Sequence, residues 1–135
     1  RRYAWAWFTA IKGMNANAVR PHAQVYPRFY LDMADEMGIC VLNETANWAS
    51  DGGPKLDSDL FWEASKEHLK RFVLRDRNHA SVFGWSISNE KQTPLSCTFT
   101  IAPELMPVQK KAWEEWRDIV HQYDPTAVDF SRRGR

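Results

Sequence analysis

Val82-Phe83-Gly84-Trp85-Ser86-Ile87-Ser88-Asn89-Glu90 decides how the rest of the chain is read. Its Val, Phe, Trp and Ile form an apolar run of strand length, rich in the residue types that fit a pleated, buried surface. The run ends at an amide and a carboxylate, Asn89-Glu90. In parallel α/β folds ligands gather where strands end, so the pair either opens a loop or marks a site. Alternation puts Ser86, Ser88 and Glu90 on one face and Trp85 and Ile87 on the other. Small polar groups inward and large apolar ones toward helices suit a crowded barrel interior. The same alternation turns Asn89 outward, so the strand must end or bulge if both residues are to reach a ligand.

Upstream, Arg75-Asp76-Arg77-Asn78-His79 interrupts a helical pattern. That helix has Phe61, Ala64 or Ser65, Leu69, Phe72 and Val73 on its apolar face and Asp57 or Asp59 as its cap. Asp76, Asn78 and His79 precede the strand and fall at the opposite end from Asn89-Glu90, where a structural role is expected. Further back, Ile39-Cys40-Val41-Leu42 reads as a second buried strand with Cys40 a small core residue; it finishes at Asn43-Glu44. The helix before it opens at Pro27, buries Phe29 or Tyr30, Met33, Ala34 and Met37, and stops at Gly38. Asn17 to His22 reads as a short strand stopped by Pro21, with Arg20 and His22 on one face because residues two apart point the same way. Ala4, Trp7, Phe8 and Ile11 give a first amphipathic helix ending near Gly13.

Downstream, Lys91 to Ala102 is a loop, as is Thr45 to Lys55, which carries Trp48. A last helix begins between Pro103 and Pro107 and turns Leu105, Val108, Ala112, Trp116, Ile119, Val120 and Tyr123 inward. Asp124-Pro125 ends it, and Ala127 to Phe130 starts a further strand. Regular alternation of strand and helix implies a parallel sheet with helices outside. A (β/α)8 barrel needs roughly 250 residues; the 135 present correspond to half a barrel or to a small doubly wound sheet. The opening Arg1-Arg2-Tyr3-Ala4-Trp5 reads as the middle of a helix, which implies sequence upstream.

Composition removes several classes. A net charge of +1 speaks against nucleic acid as a partner; the basic end, Arg132-Arg133-Gly134-Arg135, reads as a solvated tail. No apolar run reaches membrane-spanning length. The 2 Cys show no CxxC spacing and leave the compartment unspecified. The 4 His show no metal-binding spacing, Glu67-His68 lacking the second His of a zinc helix. No phosphate loop or nucleophile elbow is present, so no cofactor is expected.

The candidate site residues are those at strand ends: Arg20 with His22, Glu44, Asn89 with Glu90, and Trp48 on an adjacent loop. Arg20 either orders a neighbouring carboxylate, Glu44 or Glu90, or makes a structural ion pair. His22 either donates to a ligand hydroxyl or is packed and hydrogen-bonded. Trp48 either stacks on a sugar face or fills the core.

Asn17-Ala18-Val19-Arg20, Tyr26-Pro27, Asp35-Glu36-Met37-Gly38-Ile39, Arg75-Asp76-Arg77-Asn78-His79 and Trp85-Ser86-Ile87-Ser88-Asn89-Glu90 follow one another in order. Together, from about Phe8 to Asp124, they resemble the catalytic barrel of family-2 glycoside hydrolases, the β-galactosidase, β-glucuronidase and β-mannosidase group. The resemblance implies a partial TIM barrel, about half, from the first helix to about the fifth strand, and retaining hydrolysis of β-glycosides in oligo- or polysaccharides. By it Glu90 is the general acid/base, Asn89 binds the sugar 2-hydroxyl, Arg20 is an active-site arginine, and Glu44, His22 and Trp48 line the sugar site.

The chain departs from the family in places. Where the family often reads Arg-x-Ser-His-Tyr-Pro, Arg20-Pro21-His22-Ala23-Gln24-Val25-Tyr26-Pro27 displaces the histidine. Trp48 and Ser50 stand where some members place magnesium ligands, so no metal is expected. No residue matches the nucleophilic glutamate near the end of the seventh strand. The alternative expectation is a non-catalytic carbohydrate-binding remnant that self-associates through open barrel edges.

Overall fold

Three parallel strands and four helices alternate along the chain in a computed structural model that describes residues 1–47, 58–89 and 106–127. In chain order they are α1 (Arg2–Gly13), β1 (Ala18–Val19), α2 (Arg28–Met37), β2 (Cys40–Glu44), α3 (Asp59–Asp76), β3 (Val82–Ser86) and α4 (Met106–Tyr123). The sheet order is β1-β2-β3, all parallel. Strand order follows sequence order without the reversal that a doubly wound sheet uses at its ligand crevice.

The helices cover one face of the sheet. Val41 packs with Phe8, Ile11, Tyr26, Leu31, Ala34 and Ile39 beneath α1 and α2. Trp85 packs with Trp62, Leu69, Phe72, Val73, Ala112, Trp116 and Val120 beneath α3 and α4. Val82 touches both clusters and joins them. Burying each of the larger side chains contributes about 1.5–3 kcal/mol. A shift in register between Val41 and Leu42 makes this possible: Val41 pairs with Val82, but Leu42 pairs with Gly84. The extra residue, Phe83, lets Val82 and Trp85 both face the helices although they are three apart. Phe83 itself is left 44% exposed.

Pro27 stands at the N-cap of α2, and Gly38 ends that helix in the left-handed region (φ 67°), as the sequence implies. Other expectations are corrected. The first strand covers only Ala18–Val19, so Arg20 and His22 lie beyond it. Cys40 is exposed, because alternation from buried Val41 turns it to the helix-free face. Leu31, with no exposed surface, replaces Tyr30 and Met33 at the centre of the α2 stripe. Tyr30 instead joins a ring cluster with Trp7, Phe8 and Tyr26. Trp7 contacts those rings yet keeps 42% of its surface. In α3 the buried face includes Trp62 and Asp76, and Ser65 is chosen over Ala64. Ser58 is the N-cap and Asp59 lies in the first turn; Asp57 is outside the described residues. In α4, Val108 is 44% exposed. Leu105, the loop from Lys91 to Ala102, the other loop from residue 48 onward and most of the proposed strand after Ala127 fall outside the described residues.

At the other end from Asn89, Asp35 of α2 accepts from the Ser81 amide (2.6 Å) and pairs with His79 Nδ1 (2.7 Å). This ties α2 to the turn before β3, the structural role expected of His79. Asp76 is likewise structural, accepting from Asn43 on β2 (2.8 Å).

Candidate active site

β1, β2 and β3 deliver Arg20, Glu44 and Asn89 to one place at their C-terminal ends. Glu44, the last residue of β2, has no exposed side-chain surface. Its Oε2 accepts from Arg20 Nη1 (2.6 Å) and from the Ser86 hydroxyl (2.6 Å). Its Oε1 accepts from the Ala23 amide (2.6 Å). A buried carboxylate is costly unless paired and hydrogen-bonded; here one cation, one hydroxyl and one backbone N–H surround it. Ser86 reaches it because Glu44 and Ser86 are register partners, so both side chains stand on the helix-free face.

Ala23 supplies its amide from the left-handed region, at φ 51°. An alanine there is strained by about 1–2 kcal/mol. The turn after β1 is therefore bent back toward Glu44, and that bend also carries His22 inward.

Asn89 lies three residues beyond the end of β3 and is 95% buried, with 5% of its surface exposed. The pairing between β2 and β3 changes character past Ser86. The Thr45 amide donates to the Ser86 carbonyl (3.0 Å), the Thr45 hydroxyl donates to the Ile87 carbonyl (3.1 Å) and accepts from the Asn47 amide (3.1 Å). The Asn89 amide then donates to the Asn47 carbonyl (2.9 Å). This irregular stretch meets the condition set by alternation: the strand ends before Asn89, which is free to turn inward. Its Oδ1 accepts from Arg20 Nη1 (3.3 Å), and Arg can only donate. The amide orientation is thereby fixed, and Nδ2 faces His22 Nε2 at 3.1 Å. That bond requires the unprotonated ring nitrogen at Nε2.

Arg20, His22, Glu44 and Asn89 are thus gathered in one cluster. Glu90 and Trp48 lie outside the described residues. The Ser86 hydroxyl and the Ala23 amide were not singled out from sequence. The first had a usable signal, its place on the inward face with Ser88; the second had none, since Ala is not a residue that announces a left-handed turn. Among the described residues no three His, Cys, Asp or Glu side chains converge on a point that would hold a metal ion. No described helix is long and apolar enough to cross a membrane.

The family described as glycosyl hydrolases family 2, TIM barrel domain, matches residues 6–128. The chain belongs to that family. Among curated relatives, a Formosa agariphila protein provisionally named a β-glucuronidase is 33% identical over 105 residues, covering 75% of this chain and 9% of its own length. A β-galactosidase of an Arthrobacter species is 38% identical over 93 residues, covering 62% of this chain and 9% of its own length. The chain therefore spans about a tenth of the length of the curated relatives it matches.

Solved structures agree on the fold. The Parabacteroides merdae β-glucuronidase superposes with a TM-score of 0.77 at 23% identity, over 93% of this chain and 15% of that one. The Ruminococcus gnavus β-glucuronidase, solved in complex with D-glucuronic acid, gives a TM-score of 0.72 at 22% identity, over 90% of this chain and 18% of that one. The family-2 barrel thus accounts for parallel strands in sequential order with helices on one face.

Proposed function

We propose that this chain forms the acid/base side of the active site of a retaining β-glycosidase, with Glu90 as the general acid/base. The supporting observation is the convergence of Arg20, His22, Glu44 and Asn89 at the ends of adjacent parallel strands in a family-2 chain. Glu90 follows Asn89 directly. In this reading the 135 residues make up about half of one barrel, from its first helix to about its fifth strand. The nucleophilic glutamate comes from outside them.

Retaining hydrolysis needs two carboxyl groups about 5–5.5 Å apart on either side of the glycosidic bond. Glu90 begins protonated and gives its proton to the leaving oxygen as the nucleophile attacks the anomeric carbon. It then takes a proton from the water that releases the sugar. Asn89 accepts or donates to the sugar 2-hydroxyl, a contact that strengthens as charge develops on the ring. Arg20 and Glu44 orient that amide and lend the site a compensated pair of charges. His22 and Trp48 complete the sugar site, one by a polar contact and the other by its flat ring. The substrate class is a β-glycoside; the names of the relatives divide between glucuronides and galactosides, and the chain does not select between them.

The test is Glu90→Gln in the full-length protein, assayed on aryl β-glycosides with good and poor leaving groups. General acid/base catalysis contributes about 10²–10⁴ in rate. Turnover of the poor leaving group should fall by that factor, and azide should restore the second step with an activated substrate. Unchanged turnover of the poor leaving group would overturn the assignment.

A second reading, a carbohydrate-binding or self-associating remnant, is favoured by the open edge of β1 among the described strands and by Tyr3 and Trp5, 89% and 58% exposed. Sizing and calorimetric titration with sugars on the isolated chain separate the two.

A further inference from the structure

The segment Arg20–Tyr26 carries two of the candidate site residues, and it is held from both faces of the sheet. On the helix-free face Glu44 takes the Arg20 guanidinium and the Ala23 amide. On the helix face the hold comes from Arg75, near the end of α3. Its Nη2 donates to the Tyr26 carbonyl (2.8 Å). The same guanidinium forks onto Asp76 through Nε (2.5 Å) and Nη2 (2.6 Å). Asp76, whose side chain has no exposed surface, also accepts from Asn43 Nδ2 (2.8 Å). Asn43 and Glu44 are neighbours on β2 and point to opposite faces. One strand therefore fixes both ends of the segment.

Packing holds the side chains here, Tyr26 in the cluster beneath α1 and α2 and Val25 against the one beneath α3 and α4, while Arg75 holds the backbone carbonyl. An open groove of about 150 Å³, lined by Val25, His68, Arg71, Phe72 and Arg75, adjoins the segment on the helix side. His68 Nε2 is buried with no hydrogen-bond partner. Beside this groove the hydrogen bond from Arg75 is the polar contact that fixes the direction of the Tyr26 carbonyl. A planar, forked donor matches both Asp76 oxygens and a carbonyl in fixed directions; a lysine ammonium, a single point of charge, fits them less well.

We propose that Arg75 is a positioning residue for the active site, acting through the Tyr26 carbonyl to set where His22 and Arg20 stand against Asn89. The inference rests on the glycosidase reading above. Groups that orient the residues touching substrate typically change activity by about 10- to 100-fold when removed.

The experiment measures kcat/KM on an aryl β-glycoside for the full-length protein with Arg75→Met and Arg75→Lys, each alone and combined with His22→Ala, and with Glu90→Gln as reference. The expected result is a loss of about 10- to 100-fold for Arg75→Met and a smaller loss for Arg75→Lys. With His22 already removed, the Arg75→Met loss should shrink to about threefold or less, because the two act through one arrangement. A purely structural role would give the same loss in both backgrounds, and that result refutes the proposal. So does activity within about twofold of the parent for both Arg75 variants. If the Met variant does not fold, Arg75→Lys, which keeps a cation beside Asp76, carries the same comparison. An inert Glu90→Gln protein with unaffected Arg75 variants refutes this inference alone; a Glu90→Gln protein as active as the parent refutes the glycosidase reading itself.

Discussion

Glu44→Gln tests the core of the site. The carboxylate makes three short contacts, with Arg20, Ser86 and the Ala23 amide, and has no exposed surface to exchange them for water. An amide keeps the shape but has one accepting oxygen. If its NH2 group replaces Oε2, it faces Arg20, which cannot accept, although Ser86 can rotate to accept from it. If it replaces Oε1, it faces the Ala23 N–H, a second donor. Either placement loses at least one charge-assisted hydrogen bond, worth about 1.5–3 kcal/mol, and the ion pair. The full penalty for breaking a buried pair, about 3–5 kcal/mol, is not expected, because Arg20 is 44% exposed and water can take over its charge. Releasing the strained turn at Ala23 returns about 1 kcal/mol. The net loss should be about 2–4 kcal/mol, read as a lower urea midpoint by tryptophan fluorescence in the protein carrying this segment. Catalysis should fall as well, since Arg20 would lose the partner that holds it against Asn89. A midpoint shift worth under about 1 kcal/mol, with Arg20 unmoved in a crystal structure of the variant, would refute the reasoning.

Further outcomes follow from other residues. Ala23→Val puts a β-branched residue at φ 51° and should cost about 2 kcal/mol in the same denaturation assay. Burial pushes the Asp35 carboxyl up, but hydrogen bonds from Ser81 and His79 outweigh it and hold it below its ordinary 3.8. Its stabilising effect is therefore present above about pH 4 and fades as pH falls further; in Asp35→Asn, unfolding curves should lose that acid sensitivity and the Ser81 amide should exchange faster. Burial, then the nearby Arg75, push His68 below 6.5. The unfolded chain then takes up a proton that the folded one refuses, so stability should fall as pH drops through 6.5, and His68→Gln should flatten that slope between pH values of about 7.5 and 5.5. The isolated 135-residue chain should show no turnover of aryl β-glycosides; robust hydrolysis by it would contradict an external nucleophile.

Much of this arrangement was legible in the sequence where a residue's role depends on its near neighbours. Ser86 and Glu44 face the same way because alternation along each strand says so, and their meeting needed only the parallel register. The inward turn of Asn89 was readable as a condition, a strand that stops early, and the hydroxyl of Thr45 meets it. What could not be read depends on distant parts. The stripe on α2 is rotated to Leu31 because Tyr30 is drawn into rings from α1 and the turn after β1. Asp76 sits on the buried face of α3, where a periodicity rule assigns an apolar residue, because Asn43 and Arg75 satisfy it. Arg75 reaches the Tyr26 carbonyl across 49 positions, and no local pattern encodes such a link.

The polar and apolar parts of this structure differ in how far they satisfy themselves. Every donor and acceptor named around Glu44 and Asn89 comes from residues between Arg20 and Asn89. A buried carboxylate left waiting for a cation from elsewhere would carry a penalty of several kcal/mol until that partner arrived; Glu44 does not wait, because the turn after β1 brings Arg20 and an amide to it. The apolar side is different. The edge of β1 is open, and Phe83 on β3 and the rings of Tyr3 and Trp5 keep much of their surface exposed among the described residues. Hydrophobic burial is non-directional and can be completed by many surfaces, whereas a hydrogen-bonded charge cluster tolerates few arrangements. It follows that the geometry around Asn89 is set by partners within the described residues, by directed hydrogen bonds rather than by apolar cover.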